Sequence, residues 1–258
     1  KITFSALELP KPSSIIEKDY QQLLEILAES RMKMASEFDS SHTETVDYYT
    51  LWAHQIKTPI AAMRLLLQSG DENDSEEMLE QLFKIEQYVE MVMQFLRIDS
   101  MSSDLIIKKQ PLDDIVRQAV RKYSKLFIRK KISLDYKPLN CEVLTDEKWL
   151  TFVIEQVLSN SLKYTLKGGI SVYMDERLPK TLVIEDTGIG IRSEDLPRVF
   201  EKGFTGYNGH ADKKSTGIGL FLCKRILTKL SHTIAIESTV GVGTRVKIGL
   251  DTVNDAND

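Results

Sequence analysis

The chain has 258 residues, a formal net charge of −4, 42% hydrophobic residues and 28% charged residues. This balance is typical of a globular protein and excludes an intrinsically disordered one. A net negative charge gives no overall attraction for a phosphate backbone, so we expect no direct binding to nucleic acid. The two cysteines, Cys141 and Cys223, lack metal-type spacing and indicate reduced structural thiols.

Neither a membrane-spanning segment nor a signal peptide is predicted, because no run of 18 or more apolar residues occurs. The chain begins with Lys1 and not with Met, so we expect a fragment of a longer protein.

The first predicted region, residues 1–45, is a linker and signalling helix. After Pro10-Lys11-Pro12, apolar residues recur at helical spacing, at Ile16, Tyr20, Leu23, Leu27 and Met34. This pattern predicts a helix that needs a partner on one side. The polar stretch from Asp39 to Thr45 weakens the pattern and marks the end of the region.

The second predicted region, residues 46–104, carries two apolar stripes. The stripes consist of Tyr49, Trp52, Ile56, Ile60, Met63 and Leu67, and of Met78, Leu82, Ile85, Val89, Val92 and Leu96. Gly70–Asp74 reads as a turn, with Ser75 as the N-cap of the next helix. A lone antiparallel hairpin cannot cover both stripes, so we expect a homodimer that forms a four-helix bundle.

The third predicted region, residues 105–258, mixes helices and strands. Helices are expected near Asp113–Phe127, from a cap at Thr145 to about Tyr164, and after Gly217; strands are expected at Ile132–Tyr136, Cys141–Leu144, Ile170–Asp175, Thr181–Asp186, Thr233–Glu237 and Thr244–Leu250. This order predicts an α/β sandwich, in which helices cover one face of a mixed sheet. The chain as a whole is therefore predicted to be α+β.

His54 lies about 200° around the helix from Trp52, off the apolar stripe. An imidazole there faces solvent and can act as a nucleophile near neutral pH. Thr58, one turn later, shares that face and can hold a water or a partner. Pro59 cannot donate to the Gln55 carbonyl, which predicts a loosened or kinked helix beside the histidine. Taken alone, the pattern also fits an ordinary exposed histidine.

Two glycine-containing motifs indicate a nucleotide site. Asp186-Thr187-Gly188-Ile189-Gly190 follows a strand, where an aspartate can accept a hydrogen bond from an exocyclic amino group. Thr216-Gly217-Ile218-Gly219-Leu220 precedes an apolar helix, whose N-terminal N–H groups suit a phosphate chain. Each motif alone is equally compatible with a structural turn.

Two further elements fit the same chemistry. Asn160 offers an amide oxygen for a metal ion, and Lys163 at i+3 offers a charge for phosphate, although polar residues near a helix end are often only structural. The polar, glycine-rich stretch Gly203–Ser215 has the composition of a mobile lid.

The order of these motifs resembles the sensor histidine kinases over about Tyr48 to Leu250. The matching features are His-x-x-x-Thr-Pro, Asn with Lys-Tyr, Asp-x-Gly-x-Gly, the phenylalanine of RVFEKGFTG, and Thr-Gly-x-Gly-Leu. The segments DYYTLWAHQIKTPIAAMRLLLQ and RVFEKGFTGYNG are most similar to the intramembrane-sensing kinases of Gram-positive bacteria. Those kinases respond to cell-envelope antibiotics such as bacitracin and cationic peptides.

The resemblance implies ATP-dependent phosphorylation of His54, with transfer to an aspartate of a response regulator. Thr58 is implied to help dephosphorylate the regulator, Asn160 to bind Mg²⁺, Asp186 to read the adenine amino group, and Phe200 to anchor the lid. The implied nucleotide-binding residues are Gln156, Asn160, Lys163, Tyr164, Asp186, Gly188, Gly190, Ile191, Phe200, Thr216, Gly217, Ile218, Gly219 and Leu220.

Two positions depart from the family pattern. The residue after the phosphoacceptor is usually an acid, whereas this chain has Gln55, which cannot take a proton at neutral pH. Gln55 can still orient the ring or a water through a hydrogen bond. The family often has a second Asn one turn before Asn160, whereas this chain has Gln156 beside Glu155.

The resemblance also implies partners and a location. It implies a response regulator of the winged-helix DNA-binding type, an ABC transporter reached through membrane segments, and a place as the cytoplasmic portion of a cell-membrane protein. The alternatives are a non-catalytic, dimeric ATP-binding scaffold, a gyrase-like ATPase, and a serine kinase of an anti-sigma system. The last two do not explain the HQIKTP segment.

Overall fold

The structure, a computed structural model, describes residues 12–69, 74–98, 101, 105–206 and 216–251. Its helices are α1 (Ile15–Ser69), α2 (Ser75–Arg97), α3 (Leu112–Lys130), α4 (Glu147–Tyr164) and α5 (Gly219–Lys229). Its strands are β1 (Lys108–Pro111), β2 (Ser133–Tyr136), β3 (Glu142–Thr145), β4 (Gly169–Met174), β5 (Thr181–Asp186), β6 (Thr233–Thr239) and β7 (Gly243–Gly249). The predicted α+β class is confirmed.

Helix α1 is continuous over 55 residues, and it passes without a break through residues 39–45 and across Pro59. The predicted boundary after Thr45 therefore lies inside one helix. Apolar residues of its N-terminal part are largely exposed, among them Ile16, Tyr20, Leu23, Leu27 and Met34. A single chain leaves this stripe without a partner.

Helices α1 and α2 pack against each other around an aromatic cluster. Trp52 is only 2% exposed, and the centroid of its indole lies 5.1 Å from that of Phe95. The turn predicted at Gly70–Asp74 lies mostly outside the described residues. Ser75 is the first residue of α2, and the N-cap position belongs to Asp74, whose side chain makes no capping bond. The predicted N-cap is thus one residue too late.

The large sheet has the strand order β2-β4-β5-β7-β6, in which only the β2–β4 pair is parallel. Strand β5 lies at its centre, between β4 and β7, and residues Thr181–Ile184 are all buried. Strands β1 and β3 form a separate antiparallel pair. Helices α3, α4 and α5 supply much of the core, as the predicted sandwich requires.

Helix α4 is capped by Asp146 and not by the predicted Thr145. The Asp146 carboxylate accepts N–H bonds from Lys148 and Trp149, at 3.0 and 3.2 Å, whereas Thr145 is the last residue of β3. The Thr145 hydroxyl lies instead 3.1 Å from Nε2 of His232. Both residues have side chains that favour N-caps, and the strand register decides between them.

The α/β region rests against α2 of the hairpin. Nε2 of Gln87 donates to the Tyr123 hydroxyl at 2.6 Å, and the Phe83 ring meets the Tyr123 ring edge-on at 5.5 Å. Glu80 and Arg129 form an ion pair across the same contact. Within the described ranges, no helix is long and apolar enough to cross a membrane.

His232 makes the stability of this fold depend on pH. It is 4% exposed, and burial lowers its pKa to about 4. Since the unfolded chain binds this proton near pH 6.5, the stability is complete above about that pH and falls as the pH drops toward 4. We expect urea unfolding to show a loss of up to about 3 kcal/mol from this group.

In the His232→Gln variant this part of the pH dependence should disappear, whatever the variant's stability at pH 7. His54→Gln, at an exposed histidine, is the control and should keep the wild-type slope. An unchanged slope in His232→Gln would contradict the assignment.

Candidate functional site

Asp186 is a buried carboxylate, 6% exposed, at the end of the central strand β5. Its Oδ1 accepts the Gly188 N–H at 2.9 Å, and the nearby Ser161 hydroxyl and Thr244 N–H also favour the charged form of the carboxylate. Burial raises the pKa of Asp186, and these three donors act in the opposite direction. The result is a buried acceptor that is held in place.

Glycines let three chain segments meet beside Asp186. A Cβ on Gly188 would lie 2.7 Å from the Tyr164 carbonyl oxygen, and one on Gly190 would lie 2.2 Å from that of Thr239. A Cβ on Gly243 would lie 1.9 Å from the Asp186 carbonyl oxygen. No side chain fits at these positions, so the end of β5, the end of α4 and the β6–β7 turn touch through their backbones.

Backbone bonds hold this junction together. The Ile189 N–H donates to the Tyr164 carbonyl at 3.2 Å, and the Ile191 N–H donates to the Ser238 hydroxyl at 2.8 Å. The ammonium of Lys163 lies 5.0 Å from the centre of the Tyr164 ring. The structure therefore brings the predicted residues Tyr164, Gly188, Gly190 and Ile191 together beside Asp186.

The second glycine motif lies at the start of α5. Gly217 has φ +63°, and a Cβ there would lie 2.4 Å from the Gly203 carbonyl carbon. The Gly203 N–H donates to the Gly217 carbonyl at 3.1 Å, which closes the base of the predicted lid. Residues 207–215 of that lid lie outside the described part. Thr216 and Ile218 are buried at the same junction, and Leu220 is half-buried.

Helix α4 links the two motifs. A Cβ on Gly219 would lie 2.9 Å from Oε1 of Gln156, so this side chain reaches the start of α5. The Ser161 hydroxyl, five residues later, lies near the Asp186 carboxylate and favours its charged form. Asn160, one turn after Gln156, is half-buried on the face that runs between them. Residues of α4 thus lie between Asp186 and the N-terminus of α5.

The phosphoacceptor candidate lies on α1. His54 is exposed, as predicted, whereas Trp52 and Pro59 are buried. The Thr58 hydroxyl donates to the His54 carbonyl at 3.2 Å, so it shares that turn of the helix. Gln55 turns toward α2, where its Oε1 accepts the Tyr88 O–H at 3.1 Å.

The base of the predicted lid touches the hairpin. The Lys202 ammonium lies 4.4 Å from the Tyr48 ring centre and 5.5 Å from that of Phe95. At the other end of the lid, the Thr216 hydroxyl donates to Sδ of Met91 at 3.6 Å. Tyr48 precedes His54 by six residues, or about 9 Å along the helix axis. Phe200, next to the lid, lies under the Lys224 ammonium at 5.3 Å.

Sequence reasoning missed four residues of these sites: Met91, Ser161, Lys202 and Gly243. Gly243 could have been found, since it is the first residue of β7 and follows a glycine-containing turn. The other three act through contacts with distant segments. Among the described residues, no group of three or more His, Cys, Asp or Glu side chains could hold a metal ion.

Comparison with known proteins identifies the family. Residues 145–254 match the model of the histidine kinase-, DNA gyrase B- and HSP90-like ATPases. The sensor histidine kinase YxdK of Bacillus subtilis is 33% identical over 236 residues, which cover 88% of this chain and 71% of YxdK. The chain belongs to the sensor histidine kinases. The predicted family is confirmed, and its nucleotide domain is of the ATP-binding type.

Other sensor histidine kinases are similar over shorter shares of their length. The sensor protein BceS of Halalkalibacterium halodurans is 36% identical over 195 residues, 75% of this chain and 58% of BceS. GraS of Staphylococcus haemolyticus is 35% identical over 199 residues, 76% of this chain and 58% of GraS. The solved structure of the Acinetobacter baumannii histidine kinase AdeS aligns with TM-score 0.53 and 21% identity, over 77% of this chain and 98% of the solved chain. The AdeS likeness supports the fold alone.

The Lys202 contact can be tested through Trp52, which packs against Phe95. A cation–π contact contributes about 0.5–1 kcal/mol, so Lys202→Ala should loosen the lid base from the hairpin. In a Trp149→Phe background, Trp52 fluorescence should become more accessible to acrylamide. Lys125→Ala removes an exposed lysine and is the control. Equal quenching in both variants would contradict the contact.

Proposed function

We propose that this sensor histidine kinase transfers the γ-phosphoryl group of ATP to His54, and then to an aspartate of a response regulator. The observation that carries the proposal is the buried Asp186 acceptor, joined by α4 to a glycine-lined helix N-terminus. The same chain presents an exposed histidine on a hairpin that touches the lid base. The nucleotide-binding site and the phosphoacceptor His54 would thus lie in regions of one chain that contact each other.

The residues around Asp186 and the N-terminus of α5 would suit the chemical groups of ATP. Asp186 would accept the adenine amino hydrogen at a buried position, and the hydrogen bond from the Gly188 N–H keeps the carboxylate in place. The backbone N–H groups beside Gly217 and Gly219 would face the phosphates at the N-terminus of α5. Lys163 would add a positive charge. Mg²⁺, held through Asn160, would neutralise phosphate charge, with Gln156 close to the same loop.

The transfer step needs the γ-phosphorus within about 3–3.5 Å of an imidazole nitrogen of His54 and in line with the leaving oxygen. The nucleotide domain would swing against the hairpin to reach that geometry. Neither Gln55 nor Tyr88 can accept the imidazole proton, because an amide is not basic and burial raises the pKa of Tyr88. The proton would therefore leave to solvent, to which His54 is open.

Thr58 would act in the opposite reaction, the removal of phosphate from the response regulator. Its hydroxyl lies one turn after His54 on the same face, where rotation away from the His54 carbonyl lets it hold a water near the regulator's phosphoaspartate. This role belongs to the dephosphorylation of the regulator.

The hairpin would work as a homodimer. Apolar residues of both predicted stripes are substantially exposed in one chain, among them Ile60, Leu67, Leu82, Val89 and Leu96. A second copy would cover them as a four-helix bundle. The other expected partners are a winged-helix response regulator and an ABC transporter.

The location and the stimulus of the whole protein are inferred from its relatives. The chain spans 58% to 71% of YxdK, BceS and the Staphylococcus haemolyticus GraS. By its resemblance to their branch, we place it as the cytoplasmic portion of a cell-membrane sensor of envelope antibiotics. A second candidate, a non-catalytic ATP-binding dimer, is favoured by one observation: the side chain after His54 offers no proton acceptor.

The first test is incubation with γ-labelled ATP and Mg²⁺, beside the His54→Ala and Asp186→Asn variants. We expect acid-labile, base-stable label on the wild type and none on either variant. Asp186→Asn should lose at least about tenfold in ATP affinity, because the buried acceptor would become a mixed donor and acceptor. Thr187→Ser, beside Asp186, is the control and should be labelled.

Label that persists in His54→Ala would contradict the phosphoacceptor assignment. Nucleotide binding without any label on the wild type would favour the non-catalytic dimer.

The dimer can be tested with two leucines of α1. Leu67 is part of the predicted stripe and Leu65 is not, yet both are more than 60% exposed in one chain. In analytical ultracentrifugation we expect dimers for the wild type and for Leu65→Glu, and monomers for Leu67→Glu. Dimerisation that survives Leu67→Glu would exclude a bundle built on this stripe.

A further inference from the structure

One hydrogen bond joins the two hairpin helices beside the phosphoacceptor. The Tyr88 O–H on α2 donates to Oε1 of Gln55 on α1 at 3.1 Å, and both side chains are half-buried. Burial raises the pKa of Tyr88, so the phenol stays protonated and remains a donor at neutral pH.

We propose that Tyr88 is a positioning residue that holds the Gln55 amide away from His54 and thereby slows autophosphorylation. This inference rests on the proposed function, in which His54 accepts the phosphoryl group. Released from Tyr88, the Gln55 oxygen accepts the N–H of one imidazole nitrogen. That bond directs the other nitrogen, with its lone pair, toward the phosphorus.

The helical geometry supports this role. Tyr48, Trp52, Gln55 and Pro59 lie within about 60° of one another around α1, and all four are buried or half-buried. His54 lies about 100° from Gln55 and is exposed. Because the Gln55 side chain extends to Tyr88 on α2, its amide points away from the imidazole.

The Tyr88–Gln55 hydrogen bond is weak enough to slow the reaction and still break during it. A neutral hydrogen bond of this kind shifts an equilibrium by about two- to tenfold. The helices do not depend on it, because Trp52 also packs against Phe95 across the hairpin. Tyr88→Phe keeps the ring and removes only the donor, so this variant should fold.

The test measures initial rates of acid-labile labelling over a range of ATP concentrations. We expect Tyr88→Phe to raise kcat by about two- to tenfold and to leave the KM for ATP unchanged, because the nucleotide pocket is not altered. Gln55→Ala should abolish this gain in the double variant. Tyr173→Phe removes a hydroxyl that bonds to Glu185 on the sheet and should label at the wild-type rate.

A second measurement does not depend on kinase activity. In Tyr88→Phe, a nuclear Overhauser contact between the Gln55 side-chain amide and the His54 ring should appear, and it should be weak or absent in the wild type. Its absence in the variant would overturn the positioning role even if no form were labelled.

A lower rate in Tyr88→Phe, or a gain that persists without Gln55, would also overturn the inference. By contrast, label retained in His54→Ala would contradict the proposed function and not the Tyr88–Gln55 contact.

Discussion

The nucleotide site depends on the close approach of three backbones at the end of β5. The backbone of Gly188 packs against the Tyr164 carbonyl, that of Gly190 against the Thr239 carbonyl, and that of Gly243 against the Asp186 carbonyl. A single Cβ at any of these positions would force the segments apart. Because the last turn of α4 is fixed by this junction, the Gln156 side chain on the same helix is positioned against the start of α5.

The same junction holds a buried carboxylate that a fold built for stability alone would avoid. Burial disfavours the charged form of Asp186, and three donors from Gly188, Ser161 and Thr244 compensate in part. A ligand that brings one more donor would complete the compensation. An acceptor fixed in advance loses little entropy on binding and discriminates against groups that cannot donate.

Local patterns predicted much of this site from the sequence. Strand β5 has its predicted bounds, Thr181–Asp186, because a short run of apolar residues ends at two charged residues and a glycine turn. Helix caps were less predictable. Thr145 and Asp146 both favour a cap, and only the pairing of β3 with β1 assigns Thr145 to a strand. The polar stretch 39–45 interrupts the apolar pattern but not the helix, since it contains no proline or glycine.

The contacts that sequence reasoning missed join segments far apart in the chain. Thr216 meets Met91 across 125 residues, and Gln55 meets Tyr88 across 33. Periodicity assigns a residue to a helix face but does not identify its partner on another element. A lysine in a polar stretch is normally predicted to be solvated. The sequence therefore gives no sign that the Lys202 ammonium lies over two aromatic rings.

The contacts of Tyr48 and Gln55 lie on one face of α1, so a rotation of this helix would affect both. Tyr48 touches the lid base and Gln55 touches Tyr88, while His54 lies about 100° away from Gln55 on the same turns. The helix is unbroken from Ile15, so a rotation applied at its N-terminal part reaches all of these residues together. Such a rotation would weaken the Lys202 contact and the Tyr88 bond while it turned His54. Freeing the nucleotide domain and orienting the phosphoacceptor would then be one motion.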